Sequence, residues 1–225
     1  MSEVLAAQGL WVVVKTEVNM EKLVITIARG YGSGGRTMGK LLAKELDIKY
    51  YDREILRLAS DESGINEALF GKADEKLANS ALFKIARKAY QGEIIPPDSD
   101  DFASNDNLFN YQAKVIKELA EEESCIIIGR CADYILKDNP NVIRLYCYAP
   151  LENCIEREKL LSSLTEKEII KKINKIDKYR AEYYKYYTGA EWNDARNYDL
   201  CLNTSSMSYE QLIAVVKSYI EIYKK

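Results

Sequence analysis

Hydrophobic and polar positions along this chain follow two rhythms. Short apolar runs at 23–27, 48–51, 125–128, 142–148 and 198–202 are rich in β-branched and aromatic residues and read as buried strands. Between them the spacing turns helical. Met38, Leu41, Leu42 and Leu46 predict a helix over 38–47. Further helices are expected at 53–59, 66–90 and 108–122, the last with Val115, Ile116 and Leu119 on one face. Pro150 opens a helix that carries Arg157, and Thr165-x-x-Glu168 is a capping box for a long helix striped by Ile169, Ile173 and Ile176. A final helix spans 209–223. Strands alternating with helices imply an α/β fold, a five-stranded parallel sheet with helices on both faces and a helical insertion between its second and third strands. Residues 92–105, with Pro96-Pro97 and several acids, read as a mobile loop.

The stretch 4–14 is mostly apolar too, yet Glu3 stands where a signal peptide carries positive charge, and no small-residue cleavage site follows. Residues 1–21 are set apart as an N-terminal extension, with Met20 as an alternative start and 11–14 as a candidate edge strand. The domain proper is expected over 22–225.

The first core strand runs straight into Gly30-Tyr31-Gly32-Ser33-Gly34-Gly35-Arg36-Thr37, with four glycines in six positions, and then into a helix. Glycines let the backbone turn tightly, so that N–H groups converge at the positive end of a helix dipole. A phosphate suits such a turn. Two templates fit it. Residues 30–37 match the nucleoside-triphosphate P-loop G-x-x-x-x-G-K-[ST] with Arg36 in place of lysine. Gly30-x-Gly32-x-x-Gly35 also matches the dinucleotide fingerprint, and Asp52 lies at the right distance to take a ribose hydroxyl. Arg36 and Thr37 favour the P-loop, since a cation and a hydroxyl there serve the terminal phosphates and Mg²⁺. So does the lack of a convincing strand across 53–123.

Two more strands end in charged residues: the second at Asp52-Arg53 and the third at Gly129-Arg130. The carboxyl ends of parallel strands line the crevice where open α/β sheets bind ligands, so Asp52, Arg53 and Arg130 are site candidates. A guanidinium at Arg130 suits a phosphate bidentately.

Composition narrows the picture. With a net charge of −3 over 225 residues, no overall basic character points to nucleic acid. Charge is uneven, however: 157–196 holds ten Lys/Arg against seven Asp/Glu, whereas 93–106 holds five acids and no base. The five cysteines form no C-x-x-C pair, as expected of buried thiols in a reducing cytoplasm. The absence of histidine excludes His-based triads and His metal sites, and no apolar run reaches the length of a membrane span. Tyr183-Tyr184 and Tyr186-Tyr187 favour packing over a stacking platform.

Four segments resemble the cytidylate kinase-like proteins, relatives of the P-loop nucleoside monophosphate kinases. They are Ala28-Arg29-Gly30-Tyr31-Gly32-Ser33-Gly34-Gly35-Arg36, Tyr51-Asp52-Arg53-Glu54, Ile128-Gly129-Arg130-Cys131-Ala132-Asp133-Tyr134 and Tyr198-Asp199-Leu200-Cys201-Leu202-Asn203-Thr204. The likeness runs in order from Lys22 to the C-terminus. It implies a P-loop NTPase fold, an NMP-binding insertion at about 60–122 and a lid at about 160–195. Gly30, Gly32, Ser33, Gly34, Gly35, Arg36 and Thr37 would bind ATP, with Thr37 on Mg²⁺. Asp52, Arg53, Arg130 and Lys178 would face the acceptor, and Arg36, Arg130, Arg157 and Arg180 would neutralise the transferring phosphoryl group. Two departures stand out. Arg36 replaces the usual lysine, and Ile128 replaces the aspartate that ordinary cytidylate kinases carry before the Gly-Arg, leaving Asp52 or Asp133 for the outer Mg²⁺ shell.

The expectation is a cytoplasmic kinase that uses ATP and Mg²⁺ to phosphorylate a nucleoside monophosphate, CMP or dCMP first, with no nucleic-acid or membrane partner. A non-catalytic ATP-binding module, a kinase of another small metabolite and an NAD-type domain are the competing readings.

Overall fold

The computed structural model describes residues 4–7, 10–13, 22–76 and 92–223. Val4–Ala7 (β1) and Leu10–Val13 (β2) pair antiparallel in a two-stranded sheet of their own, so 10–13 does not extend the edge of the main sheet. The main sheet contains Val24–Arg29 (β3), Lys49–Tyr51 (β4), Cys125–Ile128 (β5), Val142–Tyr148 (β6) and Leu200–Asn203 (β7). All of its pairings are parallel and the order is β4-β5-β3-β6-β7, which makes the strand before the glycine loop the central one.

Both faces of that sheet are covered, and successive residues of β3 divide between them. Ile25 and Ile27 pack with Met38 and Leu42 of α1 (Gly35–Leu46) and with Leu212, Val216 and Ile220 of the C-terminal helix, whereas Val24 joins the opposite cluster with Ile55 and Ile116. Ile25 and Ile27 are fully buried, and removing such a side chain from water contributes about 1.5–3 kcal/mol. This is why the strands read as unbroken apolar runs rather than as alternating ones.

Between β4 and β5 the described residues form α2 (Glu54–Ser63), α3 (Glu67–Lys76) and α4 (Asn105–Glu122). The rest of the helix expected over 66–90 lies outside them. Residues 92–104, expected to be a mobile loop, form neither helix nor strand and are bonded to one fully buried side chain. The Asn107 amide accepts from the Ile95 N–H at 2.8 Å and donates to the Ile95 and Phe102 carbonyls at 3.1 and 2.7 Å.

After β5 come the short α5 (Ala132–Ile135), then β6, and then α6 (Leu151–Lys159), where Pro150 is the N-cap rather than the first helical residue. The 23-residue α7 (Glu166–Thr188) opens with the expected capping box, Thr165 and Glu168 satisfying each other's backbone N–H. Its two halves have different neighbours. Ile169 and Ile173 pack on Cys154 and Ile155 of α6 and on Tyr31, over the glycine loop. Tyr183, Tyr184 and Tyr187 pack into the core under the insertion, where the Tyr187 ring stacks on Phe109 with centroids 3.8 Å apart. One helix thereby connects the glycine loop to the insertion. The last helix, α8 (Tyr209–Tyr223), closes the opposite face. Among the described residues no helix is long and apolar enough to cross a membrane.

Candidate active site

The central strand ends at Arg29, and the chain turns at once through Gly30 to Gly34 into α1. The loop is held from behind, where Gly30 N–H donates to Cys147 O of β6 at 3.0 Å and Ser33 N–H to Gly30 O at 3.3 Å. Gly34 has φ +81°, a backbone angle that favours glycine, and a Cβ there would meet the Tyr209 hydroxyl. In front of the loop lies a cavity of about 700 Å³, bordered by the glycines, Arg36, Thr37, Arg53 and Arg180 and roofed by Leu160, Leu161 and Ile176.

Arg157 does not reach into this cavity as a free cation. Its Nη1 donates to Gly32 O at 3.2 Å, Ser33 O at 2.7 Å and Thr204 Oγ1 at 3.1 Å, and its Nη2 donates to Thr204 O at 2.6 Å. The guanidinium is a strut that fixes the back of the loop to the end of β7. Thr204 is buried and its hydroxyl also bonds Ser33 O. Ser33 itself is fully buried, its hydroxyl accepting from Gly35 N–H at 3.4 Å, so its side chain turns away from the ligand face. Lys178 lies elsewhere altogether: it is 76% exposed and borders none of the cavities at the loop, with Glu182 3.8 Å away.

The loop's front face already holds an anion. The Asp177 carboxylate, from α7, accepts from the Tyr31 N–H at 2.8 and 3.1 Å and from Arg180 Nη1 at 3.1 Å. Burial raises the Asp177 carboxyl above its ordinary value, while the Tyr31 N–H and Arg180 pull against that shift. Arg180 also donates to Arg29 O at 3.1 Å and lies over the Tyr31 ring.

Behind the loop, at the carboxyl ends of β3, β4 and β5, lies a smaller cavity of about 130 Å³. Arg29, Asp52, Arg130, Asp133, Arg180 and Trp192 border it. Gly129, Arg130 and Cys131 follow one another with φ of +69°, +58° and +56°. A left-handed run of non-glycine residues is unfavourable by roughly 1–2 kcal/mol each, and such strain gathers at functional sites. It sets Arg130 where Nε donates to Asp52 O at 3.2 Å and Nη1 to Gln112 Oε1 of α4 at 2.7 Å. Asp52 in turn pairs with Arg36 Nε at 2.8 Å and stands 4.0 Å from Arg29 Nη2.

Among the described residues, four guanidiniums (Arg29, Arg36, Arg130 and Arg180) thus gather around two carboxylates, Asp52 and Asp177. Burial first, then the nearby Arg180, lowers the Arg29 guanidinium to about 9, with Asp52 opposing. Asp133 is 4% exposed, and burial pushes its carboxyl up to about 6 even though the Tyr184 hydroxyl donates to it at 2.6 Å. Among the described residues no group of three or more His, Cys, Asp or Glu could hold a metal.

Of the residues expected at the site, the glycines, Arg36, Thr37, Asp52, Arg53, Arg130 and Arg180 border these adjoining cavities. Sequence reasoning missed Arg29, Asp177 and Thr204, and it named Asp133 only for an outer Mg²⁺ shell. Arg29 directly precedes the glycine loop, and Asp177 is one helical turn from Arg180, a spacing that allows a pair to meet. Both were legible signals.

The profile of the cytidylate kinase-like family matches residues 24–206. The chain is similar to the cytidylate kinase of Pyrococcus horikoshii, 26% identical over 202 residues that cover 89% of this chain and 90% of that one. It is similar also to the cytidylate kinase of Methanopyrus kandleri, 26% identical over 208 residues that cover 88% and 93%. Among solved structures, a protein of Eubacterium ventriosum is similar with a TM-score of 0.64 at 25% identity, over 89% of this chain and 99% of that one. Shikimate kinase of Bacteroides thetaiotaomicron shares the fold, with a TM-score of 0.51 at 15% identity over 88% and 98%.

Proposed function

The chain belongs to the cytidylate kinase-like family, and from there we propose that this phosphotransferase moves the γ-phosphoryl group of ATP onto the phosphate of CMP or dCMP. The observation that carries this reading is the pair of adjoining cavities, one in front of a glycine loop and the other among Arg29, Arg130 and Arg180. Each suits a phosphate, and phosphoryl transfer needs two phosphates brought end to end and neutralised rather than covalent help from the protein. The relatives named cytidylate kinase support CMP as the first acceptor to try.

The loop glycines and the start of α1 would take the donor phosphates, with Arg36 in the usual lysine's place. Arg130, anchored by Asp52 and Gln112, would hold the acceptor phosphate in line. Leu160 and Leu161, 86% and 82% exposed on the α6–α7 connection, would exclude water as that lid closes. Mg²⁺ fits a site with no acidic cluster if it is held by the Thr37 hydroxyl, the donor phosphates and water. Bound there, it would spread the charge of the terminal phosphates.

The test is ADP release measured across a panel of nucleoside monophosphates. CMP or dCMP should stimulate turnover well above the rate with water alone. If no monophosphate in the panel does so, the reading is wrong.

A further inference from the structure

We infer that Arg29 is a catalytic residue of the transfer step, its guanidinium contacting the phosphoryl group midway between donor and acceptor. The inference rests on the kinase reading above and adds to it a residue outside the loop and the lid.

Position is the first argument. The glycine-loop cavity and the acceptor cavity share two bordering residues, Arg29 and Arg180. A group passing from one cavity to the other passes between these guanidiniums. Arg29 ends the central strand, whose register against β5 and β6 leaves its side chain little freedom to move with the lid. It is further confined by Gly129, whose left-handed backbone, φ +69°, omits the Cβ that would collide with the guanidinium.

The second argument is what the guanidinium lacks. Its side chain is 15% exposed, and among the described residues it donates no hydrogen bond and meets one carboxylate, Asp52, at 4.0 Å. Arg157, by contrast, donates to four acceptors, and Arg144 is held on both sides by Asp199. A largely buried cation with open donors, beside Arg180, Arg36 and Arg130, is poorly compensated by the protein. An anion carrying more than one negative charge completes the arrangement. A phosphoryl group in flight is such an anion, with three equatorial oxygens available to a planar fork.

In the step itself, an acceptor phosphate oxygen forms its bond to the γ-phosphorus as the bond to the β-phosphate oxygen breaks. That oxygen leaves with the electron pair. Arg29 gives up no proton; it donates hydrogen bonds to oxygens whose charge grows at the midpoint, and donors aimed in advance need no rearrangement. Arg180 faces the same passage from α7, already donating to Arg29 O at 3.1 Å, so the two guanidiniums stand on either side of the transferring group.

The test compares wild type, Arg29→Gln and Arg29→Lys in steady-state kinetics with the best monophosphate. It also uses calorimetric binding of Mg-ATP and of a pentaphosphate-bridged adenosine–cytidine dinucleotide that spans both cavities. R29Q should lower kcat by ~10²–10³-fold, with Mg-ATP affinity and acceptor KM changed by less than ~5-fold. Binding of the bridged dinucleotide should weaken by at least ~10-fold in R29Q, and its melting temperature should match or exceed that of wild type. R29K, which keeps charge but not the fork, should retain the Mg-ATP affinity and lose at least ~10-fold in kcat; it carries the test if R29Q does not fold. Variants with wild-type kcat and wild-type dinucleotide binding would overturn the role of Arg29 and leave the kinase reading intact. A wild-type protein that neither releases ADP nor binds the dinucleotide would overturn both.

Discussion

Replacing Asp133 by asparagine should remove a pH dependence that this single buried carboxyl imposes on stability. Asp133 lies in the first turn of α5 with 4% exposure. Loss of water pushes its carboxyl from 3.8 to about 6, and the Tyr184 hydrogen bond, local N–H groups and Arg144 pull it only part of the way back. A folded value above the unfolded one means that folding favours the neutral acid. The contribution is therefore fully present below the unfolded value of 3.8 and is lost as pH rises through about 6. A difference of about two pH units corresponds to about 3 kcal/mol. Asparagine keeps an acceptor for the Tyr184 hydroxyl and cannot ionise, so any packing offset of the variant is the same at every pH. Urea unfolding followed through the buried Trp192 is the assay, run on both proteins from pH 4 to pH 8. Relative to wild type, D133N should gain about 2–3 kcal/mol across that range, most of it between pH 4 and pH 6.5. Parallel curves for the two proteins would refute the reasoning, because they would mean that Asp133 ionises as freely in the fold as in the unfolded chain. The same titration sets whether the smaller cavity presents an acid or a carboxylate near Arg130.

Two further outcomes follow from the loop's contacts. Asp177→Asn removes the carboxylate that competes with phosphate for the Tyr31 N–H, and a charge-assisted bond exceeds a neutral one by about 1–1.5 kcal/mol, so Mg-ATP affinity should rise ~10-fold by calorimetry. A fall in affinity would mean that Asp177 helps rather than hinders the donor. Arg157→Ala deletes four hydrogen bonds behind the loop and should lower stability by about 2–4 kcal/mol in denaturant unfolding, with Arg157→Lys recovering less than half. A loss under about 0.5 kcal/mol would remove the strut assignment.

Much of the fold was readable along the chain, because each such feature is satisfied within a few residues. The strand at 24–29 shows as an apolar run since both faces of the central strand are covered. The capping box at Thr165 and Glu168 closes over three residues, and the glycines at 30–35 announce a backbone that few other residues adopt. Composition does not show which side chain a loop is bonded to. Prolines and acids at 92–105 suggested a mobile loop, and the buried Asn107 holds that loop by its backbone.

The candidate site divides in the same way. Gly30 to Thr37, Asp52, Arg53 and Arg130 sit at strand ends, so their place in the crevice follows from strand direction alone. The roles of the remaining cations do not. Arg157 faces Ser33 across 124 residues and Asp177 faces Tyr31 across 146, and Lys178, adjacent to Asp177, points to solvent. Neighbouring positions on a helix differ by about 100° in direction, so the rotation of α7 against the sheet decides which side chain meets the glycine loop. That rotation is set by the packing of Tyr183, Tyr184 and Tyr187 beneath the insertion. The order of residues determined the sheet, the glycine loop and the supply of arginines; which arginine braces the loop and which stands open to an anion was decided only when distant helices packed against one another.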